Sequence, residues 1–222
     1  MNGTDAIASL SDQVHADFEA RTKARDQALV QSRQLTRHAA NAIRAIHRGE
    51  YPLAQEHLGE AARLAAALKD GLSAYPDLFH AGYTQDAIKE FVEASLTLAL
   101  VRDQEMPLPA DLGVHTATYL NGLAEVSGEL RRRCLDILRQ GYSNEAERLL
   151  GVMDEIYSLL VTVDYPDAIT NGLRRQTDMV RGIVERTRAD LTLALREQRL
   201  MQAIQQTSDQ LNQGAHADHP SL

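Results

Sequence analysis

The sequence predicts an all-α protein, a single-domain bundle of six to seven helices with long first and last members. Three observations predict it. The chain is rich in Ala, Leu, Gln, Glu and Arg, which favour helix. Aromatic residues are only 5%, whereas strands lean on aromatic and β-branched residues. Apolar residues recur at steps of three and four through most of the 222 residues. A chain of this length buries a substantial core. With no convincing internal repeat and no linker, residues 1–211 read as one domain. The polar stretch 212–222 reads as a disordered tail.

The elements follow in order. Asp5 to Arg48 contains neither Pro nor Gly, and Ile7, Leu10, Val14 and Phe18, then Leu35, Ala39, Ile43 and Ile46, step at three or four. This predicts one long amphipathic helix of about 44 residues, spanning roughly 65 Å, with a break near Arg21–Arg25. A helix of that length projects past its own domain and finds a partner. Gly49 ends it, as C-terminal capping prefers. Pro52 opens a second helix, where a missing N–H does no harm; Leu53, Leu58, Ala61, Leu64, Ala65 and Leu68 form its stripe, and Gly71 and Pro76 close it. A third helix starts after Tyr83-Thr84-Gln85 with Thr84 as N-cap and ends near Asp103. Glu105–Gly113 is the clearest loop, and its shortness makes the helices on either side antiparallel neighbours. The fourth helix runs from about His115 to Gln140, with Gly141 as its stop. Ser143 caps a fifth, ending at Leu160. Pro166 opens a sixth that continues to about Leu211, with Ile169, Leu173, Val180, Val184, Leu191, Leu195 and Ile204 as its apolar positions. Gly172 and Gly182 interrupt it, as kinks or as close-approach points.

Charge and cysteine usage narrow the function classes. The formal net charge is 23 − 31 = −8, which by itself argues against phosphate binding. Few of the basic residues are Lys, however, and Arg grips phosphate in a bidentate way. A lone cysteine, Cys134, rules out an intrachain disulfide and a cysteine-based zinc site, and fits a cytoplasmic location. The N-terminus is polar and acidic, unlike a signal peptide. No apolar run reaches the roughly 18 residues of a membrane span.

Two stretches carry the chemistry. Glu90 and Glu93 lie three apart in Lys89-Glu90-Phe91-Val92-Glu93, and Glu125 and Glu129 lie four apart in Leu123-Ala124-Glu125-Val126-Ser127-Gly128-Glu129-Leu130. Each pair shares one face of its helix. Like charges so placed repel, and carboxylates within apolar sequence are costly to bury. A shared divalent cation removes both penalties, so the two helices are expected to meet around a metal. The plainer alternative is a solvated acidic face, with Glu129 paired to Arg133 and Glu90 to a Lys or Arg across the bundle. No Glu-x-x-His pair exists, which argues against a ferritin-like di-iron bundle.

Tyr119-Leu120-Asn121-Gly122-Leu123-Ala124-Glu125-Val126-Ser127-Gly128-Glu129-Leu130 resembles the central motif of the translin family, which reads approximately Asp-Tyr-Leu-x-Gly-x-x-Asp-Leu-Thr-Gly-Glu-Leu. Glu90-Phe91-Val92-Glu93-Ala94 is similar to that family's Glu-Tyr-x-Glu-Ala helix. Ile46-His47-Arg48-Gly49 resembles the end of its first helix. Leu173–Asp178 with Val184–Leu191 resembles its last. Together these cover roughly residues 25 to 195, in order. The acidic cluster places the resemblance nearest translin-associated factor X and its archaeal-type homologues, since translin itself lacks it.

The resemblance implies a Mg2+- or Mn2+-dependent endoribonuclease acting on single-stranded RNA inside a hollow homo-oligomer, an octamer in this family. It implies that Glu90, Glu93 and Glu125 are catalytic metal ligands, with Glu129 joining the shell. Two departures stand out: Glu125 where the family has Asp, and Thr118 where it often has Asp. Candidate nucleic-acid contacts are Arg33, Arg37, Arg44 and Arg48 on the first helix, Arg132 and Arg133 in the run from Arg131, and Arg174 with Arg175. The alternative readings are a non-catalytic translin-like binder of single-stranded RNA or DNA, and a helical scaffold with no nucleic-acid role.

Overall fold

The computed structural model describes residues 3–217, and among them there are nine helices and no strand. Six are long: α1 (Gly3–His47), α2 (Tyr51–Gly71), α4 (Gly82–Val101), α6 (Thr116–Leu138), α7 (Asn144–Val161) and α9 (Leu173–Ala217). Three are single turns: α3 (Pro76–Phe79), α5 (Pro109–Leu112) and α8 (Asp167–Thr170). The all-α class with long first and last helices holds, and α1 and α9 each span 45 residues.

Local chemistry sets the boundaries. Gly49 adopts φ +74°, and the N–H groups of Gly49 and Glu50 donate to the carbonyls of Ile46 (3.0 Å) and Ala45 (2.9 Å). This paired closure of the last turn favours a residue without a Cβ. Asp103 closes α4 the same way at φ +53°, with Gln104 N–H donating to Ala99 O at 2.8 Å. Ser143 is the N-cap of α7, its hydroxyl accepting from Glu145 N–H at 3.2 Å.

The structure corrects several boundaries. α1 is unbroken through Arg21–Arg25, because that stretch holds no helix-breaking residue and Ala24 and Ala28 pack against the core. Thr84 is no N-cap. The helix begins at Gly82, and Thr84 is buried with its hydroxyl donating to Leu78 O at 2.9 Å, which ties α3 to α4. Pro166 opens only the single turn α8. Asn171 (φ +53°) and Gly172 (φ +77°) then reverse the backbone twist and α9 starts afresh at Leu173, leaving Ile169 64% exposed. Gly182 does not interrupt α9, which runs on as helix past Leu211 to Ala217. Residues 218–222 lie outside the described residues.

Two compact units divide the chain, each using part of α6 and part of α9. The first comprises Met1–Val126 with Asp164–Gln176. Here α1, α2 and α4 pack around Leu35, Leu64, Leu68, Leu72 and Phe91. A neighbouring cluster is made of Ala39, Ala42, Ile43 and Ala94, with Leu58 against it. Alanines dominate these contacts and let the helices approach closely. The stripe Ile7, Leu10, Val14 and Phe18 is exposed, as expected of a helix that outruns its own core.

The second unit comprises Ser127–Val163 with Thr177–Leu222. In it α7 buries Ala146, Leu149, Leu150, Met153, Ile156 and Leu160. Arg131 pairs with Asp190 at 2.8 Å and donates to Thr187 Oγ1 at 3.1 Å, so it serves packing. Cys134 is fully buried, and its thiol lies 3.6 Å from Ala146 O. No helix among the described residues is long and apolar enough to cross a membrane.

Burial, with Glu145 nearby, pushes the Cys134 thiol up to about 11. The neutral thiol is therefore the native species at pH 8, and thiolate appears only as pH rises towards that value. Native protein should leave Cys134 unreactive to a thiol-specific disulfide reagent at pH 8. Adding denaturant should restore one equivalent of rapid reaction; fast labelling of native protein would contradict this burial.

Candidate functional site

The acidic site lies within the first unit and draws on two helices. α4 is apolar almost all round, burying Phe91, Val92, Ala94, Leu96, Leu98 and Ala99, so a carboxylate on it is held in place by packed neighbours. Glu90 and Glu93 sit one turn apart on it, half-buried and buried respectively. α6 supplies Glu125, half-buried. One carboxylate oxygen from each of Glu90, Glu93 and Glu125 lies within 4.8 Å of the others. Glu129 is not in this converging set, and its carboxylate lies 3.9 Å from Arg132 on its own helix. Its placement in the metal shell is not supported by this geometry.

Close approach of the two helices makes the convergence possible. Gly122 is one turn before Glu125, and a Cβ built on it would lie 2.8 Å from Val92 Cγ1, 2.9 Å from Val92 Cβ and 3.1 Å from Lys89 O. Only glycine leaves room for α4 at this point. Further along, Thr118 Oγ1 donates to Gln85 Oε1 at 2.6 Å, so the position where the resemblance led one to expect Asp holds a part-buried neutral bridge between α6 and α4. Asn121 Nδ2 donates to Thr170 O at 2.9 Å and fixes α8 against α6.

Two partners were not legible as site residues in the sequence. Lys89 Nζ donates to Glu125 Oε1 at 2.6 Å, with about four-fifths of each side chain removed from solvent. Burial works to lower the Lys89 pKa, but the hydrogen bond and charge of Glu125, with Glu90 and Asp86 behind it, outweigh burial and raise it. Gln176 Nε2 also donates to Glu125 Oε1, at 3.3 Å. Lys89 had a visible signal in its place beside Glu90, one turn before Glu93. Gln176 had none beyond its position in the last-helix motif.

The donor set consists of hard carboxylate oxygens without Cys or His, which fits Mg2+ or Mn2+ better than softer metals. Glu93 is 9% exposed, and burying its charge is costly without a positive neighbour. The residues thus fit a small divalent cation.

No family model matches the chain. An uncharacterised protein of Methanocaldococcus jannaschii is 32% identical over 192 residues, covering 85% of this chain and 84% of that one. The crystal structure of AfC3PO superposes with a TM-score of 0.75 at 33% identity, covering 82% of this chain and 95% of that one. The chain belongs to the translin family. A structure of AfC3PO with duplex RNA matches at a TM-score of 0.71 and 32% identity, over 82% of this chain and 95% of that one. Apo-NeC3PO, at a TM-score of 0.76 but 21% identity, covering 82% of this chain and 96% of that one, supports the fold alone.

In this translin-family chain the candidate arginines divide by exposure. Arg33, Arg37, Arg44 and Arg48 are exposed, and their spacing puts them on one face of α1 and its end. Arg44 donates to Asn41 Oδ1, and Arg48 pairs with Glu50 at 2.8 Å. Arg174 and Arg175 are exposed at the start of α9. In the second unit Arg132 is exposed and Arg133 is half-buried.

Replacing Gly122 by Ala should destabilise the protein by about 1–3 kcal/mol, as overpacking does. Denaturant unfolding measures it. An unchanged midpoint would show that α4 and α6 are less closely apposed than described.

Proposed function

We propose that this protein is a divalent-metal-dependent endoribonuclease that cleaves RNA within a homo-oligomeric shell, an octamer by the family resemblance. The observation that carries the reading is the convergence of Glu90, Glu93 and Glu125 within 4.8 Å, in a chain whose AfC3PO relative binds duplex RNA. Glu90, Glu93 and Glu125 would hold Mg2+ or Mn2+. When bound, such a cation neutralises charge developing on the phosphate and helps activate water. The protein's own residues do the rest. Packing of α4 fixes the carboxylates before substrate arrives, which favours reaction over rearrangement. A carboxylate of the set accepts the proton of the attacking water, and the P–O bond to the leaving oxygen breaks as the new one forms. The exposed arginines of α1, with Arg174 and Arg175, supply phosphate contacts. Arginines facing inward and acids outward would reconcile the −8 charge with RNA binding.

A second reading rests on the Lys89–Glu125 pair. Its ammonium already neutralises one carboxylate at 2.6 Å. In that reading the protein binds RNA without cleaving it, and Lys89 is the permanent counter-ion.

Purified protein incubated with labelled RNA, single-stranded and duplex, decides between them. Cleavage with Mg2+ or Mn2+, none with EDTA, and a loss of at least 100-fold in Glu93→Gln would support the nuclease. Tight binding without cleavage under every condition would move the assignment to the binder.

Lys89 and a cation compete for Glu125. Lys89→Met should therefore show a larger rise in melting temperature on adding Mn2+ than the unaltered protein does. An equal or smaller rise would mean that the cation does not use Glu125.

A further inference from the structure

A second group of metal-binding side chains lies away from the carboxylates. His38 on α1 and His57 on α2 face each other in the first unit, with Nδ1 to Nδ1 at 3.3 Å. Their rings are 5.3 Å apart between centres and inclined by 62°. Both are half-buried, and each immediately precedes a residue of the small core cluster, Ala39 and Leu58. The two helices therefore hold the rings in place.

The spacing has a specific meaning. Imidazole nitrogens bind Zn2+ at about 2.0–2.1 Å, so two on one tetrahedral ion are about 3.3–3.4 Å apart. The same construction sets the ring centres about 5.2 Å apart. Both observed distances agree. Without an ion, the same contact is a hydrogen bond in which one Nδ1 donates and the other accepts.

We propose that His38 and His57 form a transition-metal site for an imidazole-seeking divalent ion of the Zn2+ class, joining α1 to α2. Among the described residues no third His, Cys, Asp or Glu joins the pair, so water completes the coordination shell. The site differs in kind from the acidic one. Nitrogen donors select Zn2+, Ni2+ or Cu2+, whereas the three glutamates suit Mg2+ or Mn2+. One ion bridging α1 and α2 would fasten the helix pair on which α4 packs. The inference does not depend on RNA cleavage.

The test is calorimetric titration of Zn2+ into the full-length protein with Mg2+ in large excess, so that the carboxylates are occupied. One equivalent per chain is expected. His38→Ala and His57→Ala should each weaken binding at least tenfold, while Glu93→Gln and His115→Ala leave it unchanged. His115 is the fitting control: its ring also lies 5.2 Å from that of His80, but both of those rings are exposed, whereas His38 and His57 are half-buried between two helices. Nitrogen-15 histidine spectra of the unaltered protein read the same atoms without a variant. Zn2+ should shift the Nδ1 resonances of His38 and His57. No saturable binding, undiminished binding in both alanine variants, or shifts confined to other histidines would each overturn the proposal.

Discussion

Three ionised carboxylates cannot share a few ångströms without positive charge among them. Within 4.8 Å and at an effective dielectric constant of about 20, each pair repels by about 3.5 kcal/mol or more. The arrangement around Glu90, Glu93 and Glu125 answers this constraint. Lys89 contributes an ammonium, and Gln176 contributes an amide dipole from another stretch of the chain. Burial of Glu93 on α4 then denies its carboxylate the freedom to swing away into water. Much of the local sequence makes sense as a means of keeping like charges together.

The same constraint explains the glycine on α6. A carboxylate on one helix reaches a pair on another only if the two backbones are close, and at Gly122 the hydrogen atom replaces what would be a methyl against Val92. The hydrogen bond from Thr118 to Gln85 holds that approach at a neighbouring turn, while the one from Asn121 to Thr170 holds α8 against α6. Glu125 stands where the resembling motif has the shorter Asp, and Lys89 bonds its carboxylate at 2.6 Å.

Features governed by neighbours in sequence were legible; those governed by distant partners were not. The Gly49 stop, the Ser143 cap and the pairing of Glu90 with Glu93 follow from chemistry within one or two turns, and each appears where the residues indicate. Thr84 misled because a threonine near a helix start looks like a cap whether it points to its own backbone or to Leu78. The helix expected from Pro166 is split at Gly172, an interruption the glycine announced and the left-handed Asn171 before it did not. Glu129 matched by spacing, and only the folded chain distinguishes it from the converging three. Lys89 showed its place beside Glu90, but not its bond to Glu125, which lies 36 residues away.

The alanines between α1, α2 and α4 have a consequence of their own. Ala39, Ala42, Ala45, Ala54, Ala61 and Ala94 are all fully buried. An alanine has no rotamers to freeze, whereas a buried Met or Gln surrenders about 1.5–2 kcal/mol of side-chain entropy. Helices meeting through methyl groups thus dock with little ordering cost and in essentially one arrangement. There is no slack either, since no flexible side chain can reshape itself around a larger substituent. The scaffold under the glutamates is therefore tolerant of heat-driven side-chain motion and intolerant of bulk, so substitutions in this seam should be filtered by size well before polarity matters.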